Sequence, residues 1–570
     1  MRNRLAIGFL GGAALLALAG PAHAQSIGYG DGDGASSEAA PGDGGDIRKD
    51  APRRGKRGGP RVGHVSVTPY IEAAQIVDAE LAPGSDTLTY TTLAAGVDAT
   101  VNGRNNAASV SLRYERRFGY GRAEDSDTIS GVARASLGVV QKSVRFDVGA
   151  MAQRTRVEGN GASIAAPLDD VGNTSKIYSF YAGPSVSTYA GDVKIDGHYH
   201  FGYTKVTEPD SLVVTPGAAP VDVFDSSTVH NAEVHVGTRP HDVLPVGIGA
   251  GAGYYQEDVS NLDQRVKDFH ARADVTVPVG QSVALVGGIG YEDVEISSRD
   301  AVIVGGVPVV GSDGRLVTDK SAPRRIAYEA EGIIWDVGVL WKPSPRTNLE
   351  AHIGRRYGST SFYGTFGWAP SRRQSVNISV YDNVAGFGGQ VNRALENLPT
   401  QFQAIRNPLS GDITNCVASL DQGSCLGGAL GSIRSSTFRA RGVAATWGLD
   451  LGRIQTGIGV GYDRRKFFAA PGTVLASANG VIDENFWLAA YLDAQLDQRS
   501  SLSGNIYANW FQSGFAGTGN ASALGATVAY RRWLTSRLSG TVALGIDGVS
   551  RQYEDDYWTA SALAGVRYSF

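Results

Sequence analysis

The sequence is poor in cysteine and methionine, with two residues of each in a chain of 570. Cys416 and Cys425 lie close together, so they can close one small loop but cannot hold a fold-wide disulfide framework. In an exported chain we expect them to form a disulfide rather than a metal site or a catalytic pair. The net charge of −4 at pH 7 lacks the basic excess of a nucleic-acid-binding domain, so we expect no nucleic-acid partner.

Long apolar runs are also missing, except at the start of the chain. Arg2 and Arg4 precede an apolar run from Leu5 to Ala19, and Ala22-His23-Ala24 follows. This pattern predicts a signal peptide over residues 1–24, cleaved before residue 25. No later window of about eighteen residues is apolar throughout, so we expect no membrane-spanning helix. Export without a helical anchor leaves the periplasm, the medium or the outer membrane.

Residues 25–62 are rich in Gly, Asp, Ser and Pro and become basic towards their end, which predicts a disordered periplasmic segment. Its Pro and Gly content excludes a stable amphipathic helix. The basic side chains either belong to a solvated linker or bind anionic lipid headgroups, a cell-wall polymer or a polysaccharide-export component. These side chains are Arg48, Lys49, Arg53, Arg54, Lys56, Arg57 and Arg61.

From residue 63 to residue 570, apolar and polar residues alternate in stretches of roughly a dozen, separated by turn residues. When the stretches are numbered as strands, every long link follows an odd-numbered strand, whereas links after even-numbered strands are short. Short turns at one end and long loops at the other are typical of transmembrane barrels, with the short turns periplasmic. The long links are 158–175, 206–227, 297–329, 384–435 and 468–483.

The sequence therefore predicts an all-β fold: a transmembrane antiparallel up-and-down β-barrel in the outer membrane, with about 22 strands and a range of about 18 to 24. Aromatic residues near strand ends, such as Trp341 and Trp510, fit contact with interfacial lipid. The last strand must pair with the first, because an open edge in hydrocarbon leaves backbone groups without partners. Val566, Tyr568 and Phe570 on this strand fit the signal that the barrel assembly machinery recognises.

A barrel of this size has a wide bore that is either water-filled or plugged. Plugged siderophore transporters carry a large N-terminal plug domain, for which residues 25–62 are too few. The link 384–435 is a better occupant, and its stretch "VNRALENLPTQFQAI" predicts a short helix. Two alternatives stay open for this link: a constriction loop folded inward, or a cap outside the barrel.

Charged residues of both signs fall on the inward faces of the predicted strands. We expect most of them to pair across neighbouring strands, and mixed charge predicts weak ion selectivity. They are Arg113, Glu115, Arg117, Arg134, Arg145, Asp147, Glu350 and Arg356.

One histidine-rich wall offers weak metal candidates: Asp196, His198, His200, Glu233 and His235. A hairpin register that sets His235 level with His198 would bring these side chains together. Residues two apart on a strand are about 7 Å apart, which is loose for shared ligation, so we favour a solvated polar wall and expect no metal and no cofactor. The sequence lacks a Gly-x-Ser-x-Gly elbow, a His-Glu-x-x-His motif and a phosphate loop, so we expect no enzyme and no catalytic residues.

Residues 343–383 contain Gly354, Arg355, Arg356, Tyr357 and Gly358, followed by the arginine-rich turn at 372–373. This double hairpin resembles the outer-membrane barrels associated with the exosortase/PEP-CTERM sorting and exopolysaccharide system. The resemblance implies an outer-membrane location and a link to envelope polysaccharide, and it brings no ligand residues with it.

The function expected from the sequence is a pore or conduit for polar solutes or an envelope polymer, with a link to exopolysaccharide export. The alternative is a closed structural or adhesion barrel that presents surface loops. An outer-membrane hydrolase is the third possibility.

Overall fold

The computed structural model describes residues 64–103, 105–140, 143–158, 161–164, 174–207, 210–212, 221–222, 224–419, 424–434, 436–515 and 517–570. The predicted signal peptide 1–24 and the basic segment 25–62 lie outside these residues. Within the described part of the chain, no helix is long and apolar enough to cross a membrane.

The described chain is mostly β-strand, and 22 long strands form one antiparallel ring. The first eleven are β1 (His64–Ala82), β2 (Thr87–Asn102), β3 (Asn106–Tyr120), β4 (Ser126–Val140), β5 (Val144–Val157), β6 (Thr174–Ala190), β7 (Val193–Thr207), β8 (Ser226–Thr238), β9 (Gly247–Val259), β10 (Gln264–Pro278) and β11 (Val283–Ser298). The others are β12 (Arg325–Ser344), β13 (Thr347–Arg356), β14 (Ser359–Ser371), β15 (Gln374–Ala385), β16 (Phe438–Asp450), β17 (Ile454–Phe467), β18 (Ile482–Gln495), β19 (Ser500–Gln512), β20 (Ala521–Trp533), β21 (Leu538–Arg551) and β22 (Tyr557–Ser569).

The ring is closed because β22 pairs with β1 as well as with β21. Tyr568 lies opposite Ile71, and the backbone N–H of Phe570 donates to the carbonyl of Pro69 at 3.1 Å. Each strand otherwise pairs with its neighbours in the chain, so the described ring has no free edge. The prediction of an all-β, up-and-down antiparallel barrel of about 22 strands is confirmed.

The strands turn apolar side chains outward and polar side chains inward, which inverts the pattern of a soluble protein. Ile289, Ile333 and Val542 are 62%, 66% and 57% exposed on the outer surface. The buried residues, by contrast, include many charged side chains of the strands, such as Arg117 and Asp268. An apolar exterior around a polar interior suits a sheet whose outer face meets hydrocarbon.

The links differ in length at the two ends of the ring. Links after even-numbered strands define a short-turn end, which also holds the start of β1. The other end, the long-loop end, carries the links 158–173, 208–225, 299–324, 386–437 and 468–481, each after an odd-numbered strand.

Three links at the long-loop end pack together into a roof, formed by residues 260–263, 299–324 and 468–481. Leu262, Leu316 and Leu475 belong to one buried apolar cluster. The carboxylate of Asp300 accepts a hydrogen bond from the backbone N–H of Val474 at 2.9 Å. The roof also contains the short helices Asn261–Asp263 and Ala476–Ala478 and the two-residue strands Ile303–Val304 and Val307–Pro308. These contacts close the long-loop end over the part of the ring that they span.

The described residues of the link 386–437, here called the internal segment, lie inside the ring. It contains helices α1 (Phe387–Glu396) and α2 (Gly427–Leu430) and the short strands Gln403–Arg406, Ile413–Ala418 and Ser424–Cys425. It contacts β3 to β8 along one arc of the wall and β15 to β18 along another. Two arcs of a closed sheet can both be touched through their inward side chains only from within, so the alternative of an external cap is wrong.

The helix expected within residues 391–405 differs in extent from the observed helix. α1 begins at Phe387 and ends at Glu396, and residues 403–406 form a strand. Pro399, three residues beyond the helix, is consistent with its early end, because the residue before a proline disfavours helical backbone angles. Two further short strand pairs, Ser163–Ile164 with β5 and Asp210–Leu212 with Val221–Asp222, lie at the long-loop end.

Candidate functional site: the internal segment and the lumen it fills

Helix α1 is held to the wall by one apolar stripe. Phe387, Val391 and Leu395 recur at four-residue spacing, so they share a face of the helix. All three are fully buried, in a cluster that includes Ile177 of β6 and Val206 of β7. Each such side chain contributes about 1.5–3 kcal/mol when it leaves water, so this face anchors the helix to the strands.

The N-terminus of α1 is capped by the barrel wall rather than by its own sequence. Gly386 provides no capping side chain, and its backbone N–H donates to Glu257 of β9 at 2.6 Å. The N–H of Gly389 donates to the same carboxylate at 2.9 Å, as does the hydroxyl of Tyr255 at 2.8 Å. Glu257 is fully buried. A carboxylate suits this place because the first turn of a helix carries unsatisfied N–H groups and a positive partial charge.

The helix approaches the wall closely enough to require glycine. A Cβ on Gly388 would lie 1.8 Å from the hydroxyl oxygen of Ser227, and one on Gly389 would lie 1.9 Å from the hydroxyl oxygen of Tyr255. A larger residue at Gly389 would push α1 away from the wall, and one at Gly388 fits only when the hydroxyl of Ser227 is removed.

The strand portion of the internal segment is fixed by charged groups on β3 and β5. Arg154 of β5 pairs with Asp412 at 2.7 Å, and both side chains are almost wholly buried. Arg154 and Arg117 each donate to the carbonyl of Ser410 at 3.3 Å. Removing one partner of such a buried pair leaves an uncompensated charge, so these contacts resist displacement of the segment.

Arg406 of the internal segment contacts the inner face of β3 and β4. Its guanidinium donates to the hydroxyls of Ser111 at 3.0 Å and Ser130 at 2.9 Å, and to the carbonyl of Gly411 at 2.8 Å. All these acceptors are uncharged. Arg406 therefore brings a positive charge into the lumen without forming an ion pair among the described residues.

Cys416 and Cys425 form a disulfide within the internal segment, with an S–S distance of 1.94 Å. The two residues lie opposite each other in its small sheet. A Cβ on Gly459 of β17 would lie 2.4 Å from the sulfur of Cys425, so the disulfide packs directly against the wall. The disulfide thus joins two strands of the internal segment at a point where they contact the barrel wall.

Below the internal segment, a cavity of about 470 Å³ opens at the short-turn end, and we call it the vestibule. Its wall comes from the first residues of odd-numbered strands and the last residues of even-numbered strands, and its ceiling comes from residues 402–411. Its charged lining residues are Glu72, Asp98, Arg113, Arg406, Asp493, Arg531 and Arg567. The lumen thus has a polar chamber at one end and packed protein above it.

The inward charges predicted from the sequence lie on the lumen wall and mostly in ion pairs. Arg113 pairs with Glu72 at 3.1 Å and with Glu115 at 2.7 Å, and Arg117 pairs with Glu115 at 2.8 Å. Arg134 pairs with Asp147 at 3.3 Å.

Of the remaining charged residues predicted from the sequence, some form ion pairs and one is exposed to solvent. Arg356 reaches Asp268 at 2.9 Å and Glu292 at 3.3 Å, and Glu350 contacts His352 at 3.2 Å. Arg145 is exposed on β5 near the short-turn end.

One run of these contacts crosses several strands without interruption. His235 of β8 contacts Asp274 at 3.1 Å, and Arg272 contacts both Asp274 at 3.2 Å and Asp336 at 2.7 Å. His352 of β13 then contacts Asp336 at 2.9 Å. Such a network ties neighbouring strands together on the inner face, where apolar packing is absent.

The side chains considered as metal candidates do not converge, and the register that would set His235 level with His198 is not the observed one. His198 lies opposite Glu233, and His235 lies opposite Asp196, so His235 is not level with His198. The link between β7 and β8 is long, and a long link does not fix register as a tight turn does. His235 instead contacts Asp274, and His200 contacts Glu396 of α1 at 3.3 Å. Among the described residues, no three His, Cys, Asp or Glu side chains form a metal site.

The roof has one acid whose titration follows from its contacts. The hydroxyl of Ser321 donates to Asp319 at 2.6 Å and holds the pKa of Asp319 below its ordinary value of 3.8. Because the pKa of Asp319 is lowered, its ionised carboxylate stabilises this turn at pH values above the ordinary pKa. This stabilisation is lost as the pH falls through the pKa that Asp319 has in the folded protein.

Sequence reasoning missed Glu257, Asp412 and the vestibule arginines 531 and 567. Contacts between distant parts of the chain leave no periodic signal. The sequence "GFGGQ" at 386–390 was the available clue, because three glycines around one aromatic residue indicate a backbone that approaches another surface closely.

No known family profile matches the sequence, and no curated protein matches it. Among solved structures, the chain is similar to the ferric-catecholate import receptor Fiu of E. coli K12, with 10% identity and a TM-score of 0.42, over 88% of this chain and 81% of that one. It is similar to the FrpB iron transporter of Neisseria meningitidis, with 9% identity and a TM-score of 0.40 over 88% and 81%. The copper transporter OprC gives 11% identity and a TM-score of 0.34 over 90% and 82%.

Likenesses at these scores carry no argument about what this chain binds or moves. The fold rests on the strand pairing described above. The comparisons do not support the exosortase-associated family predicted from residues 343–383, and that finer assignment stays a prediction.

Proposed function

We propose that this chain is an outer-membrane β-barrel that conducts polar solutes or an envelope polymer, and that the internal segment keeps the conduit closed until it is displaced. The observation that carries the proposal is the position of residues 386–437 inside a closed ring of 22 strands. A barrel of that size is wider than its side chains can fill, so a segment of the chain fills it.

The location in the outer membrane is supported by the apolar exterior and by the predicted signal peptide. The long-loop end then faces outward and the vestibule faces the periplasm. The resemblance of residues 343–383 supports envelope polysaccharide as the polymer. The barrel assembly machinery and an anionic envelope component that binds the basic segment are the proposed partners, and we assign no enzymatic activity.

The attachment of the internal segment suits a gate as well as a plug. Its polar anchors on the wall include Glu257, Arg154 and Ser130, and ten of its apolar residues belong to one buried cluster of eighteen. Because most of this cluster comes from the segment itself, its apolar residues can stay packed together when the segment moves as one unit. The polar anchors then exchange protein partners for water.

The closed roof favours a second candidate function, a sealed scaffold whose loops act outside the cell. Ile303, Val304 and Val307 at the tip of the roof are 51%, 67% and 52% exposed. Apolar residues at the tip of a surface loop are a feature of contact surfaces.

Single-channel conductance in a planar bilayer separates the two candidates. Ala385 and Phe438 lie opposite each other in β15 and β16, so an Asn-Gly turn can replace residues 386–437 without moving either strand. We expect a rise from near-zero to wide-pore conductance, because the segment is what fills the bore.

The matched control replaces the roof link. Ser298 and Arg325 are also register partners, so an Asn-Gly turn can replace residues 299–324. This variant should keep the wild-type conductance, and a variant with both replacements should conduct most. Wild-type conductance in both the internal and the double replacement, with normal heat-modifiable gel migration, would favour the sealed scaffold.

A further inference from the structure

The vestibule carries positive charge that the protein does not neutralise. Four guanidinium groups and three carboxylates line it. Arg113 is paired with Glu72 at 3.1 Å, and Arg567 is paired with Asp98 at 3.2 Å. After these pairs are set aside, two arginines and one aspartate remain.

Arg531 of β20 is the least satisfied of these groups. Its Nε donates to the hydroxyl of Thr541 at 3.4 Å, and among the described residues it forms no ion pair. Arg531 lines the cavity, and its two terminal nitrogens have no hydrogen-bond partner among the described residues, although the carboxylates of Glu72 and Asp493 lie near enough to interact with its charge. A planar guanidinium whose two terminal nitrogens are free can bind a carboxylate in a bidentate manner through them.

Half of the uncharged residues of the lining have a hydroxyl or an amide side chain. Hydroxyls and amides come from several strands, for example Thr68, Gln455, Ser503 and Asn505. These groups can both donate and accept hydrogen bonds, which suits a ligand that carries many hydroxyls. The volume of about 470 Å³ falls within the usual range for small-molecule sites.

We propose that the vestibule binds an acidic sugar, that is, a polyhydroxylated solute that carries a carboxylate. Arg531 binds the carboxylate of the solute, and Arg406 provides a second positive charge. The site deepens the proposed function by naming the class of solute, and it rests on that function for its role in transport. Binding itself does not require an open conduit.

Isothermal titration calorimetry of the full chain in detergent, with glucuronate as the probe, tests the proposal. Glucose is the neutral counterpart, and acetate carries the carboxylate without the hydroxyls. We expect glucuronate to bind and the other two to bind at least tenfold more weakly, because each of them lacks one half of the recognised chemistry. Equal affinity for glucuronate and glucose, equal affinity for glucuronate and acetate, or no binding of glucuronate would overturn the proposal.

Arg531→Gln should weaken glucuronate binding by about tenfold to a hundredfold, the range expected for a charge-assisted hydrogen bond. Arg532→Gln is the matched control, because Arg532 is exposed on the outer face of the same strand. Both variants must show the heat-modifiable migration of the folded barrel. If the two variants bind glucuronate equally, Arg531 is not the ligand. Glucuronate binding by a chain that never conducts would refute the conduit and leave this site standing.

Discussion

At the scale of single residues, apolar side chains lie on the exposed outer face of the strands and charged side chains lie buried on the inner face, the reverse of a soluble protein. Ile289 and Ile333 are exposed, whereas Arg113, Glu115 and Arg117 are buried in ion pairs. The alternation alone predicted these three charges on one inward face. It could not predict Glu72 or Asp412 as partners, because these contacts depend on the pairing of distant segments.

Glu257 is the residue whose loss should loosen the internal segment most selectively. Glu257→Gln keeps the size of the side chain but removes the charge that accepts two N–H groups at the start of α1. We expect α1 to lose about 1–2 kcal/mol of local stability. Hydrogen exchange of the α1 amides measures this loss as faster exchange, with the barrel strands unchanged.

Glu329→Gln is the control, since Glu329 is an exposed acid on β12. It should leave exchange in α1 unaltered. If Glu257→Gln also leaves it unaltered, the wall does not cap the helix.

At the scale of elements, the sequence predicted the strands well and the internal segment in part. Tight turns and regular alternation fix most strands, but the long link before β8 left its register open. The observed register differs by two residues from the one that would set His235 level with His198. The helix was expected too late because its first turn, at the glycines of 386–389, is stabilised by Glu257 of the wall rather than by local propensity.

The disulfide should stabilise the internal segment without being needed for the barrel. It spans nine residues, and closing such a loop contributes about 2–3 kcal/mol by the chain-entropy estimate. We expect Cys416→Ser with Cys425→Ser to keep normal heat-modifiable migration but to show faster hydrogen exchange across 413–418. Loss of the folded barrel in this variant would contradict the view that the segment folds within a ring that closes by itself.

At the scale of the whole molecule, the closed ring separates an apolar outer face, which suits contact with hydrocarbon, from a polar inner face, which suits contact with water. Ile289 lies near the middle of β11 and is 62% exposed. We expect Ile289→Lys to cost about 2–4 kcal/mol in a bilayer, the range for a cation on the lipid face at mid-depth. Denaturant unfolding of the barrel in lipid vesicles measures the loss.

Val304→Lys serves as the comparison, because Val304 is 67% exposed in the roof, away from the ring. It should change the free energy of unfolding by less than about 0.5 kcal/mol. Equal effects of the two lysines would mean that the outer face does not contact hydrocarbon.

The most direct test of the account is a cross-link between the internal segment and the wall. A Cβ on Gly388 of α1 would lie 3.2 Å from the Cβ of Ser227 on β8, so a shift of a few tenths of an ångström reaches the separation of about 3.5–4.5 Å found in disulfides. Gly388→Cys with Ser227→Cys should form a disulfide in intact outer membranes, detected by peptide mapping, whereas Val304→Cys with Ser227→Cys should not. If both introduced thiols at 388 and 227 stay free and react with a membrane-impermeant maleimide added outside, the segment does not lie in the lumen.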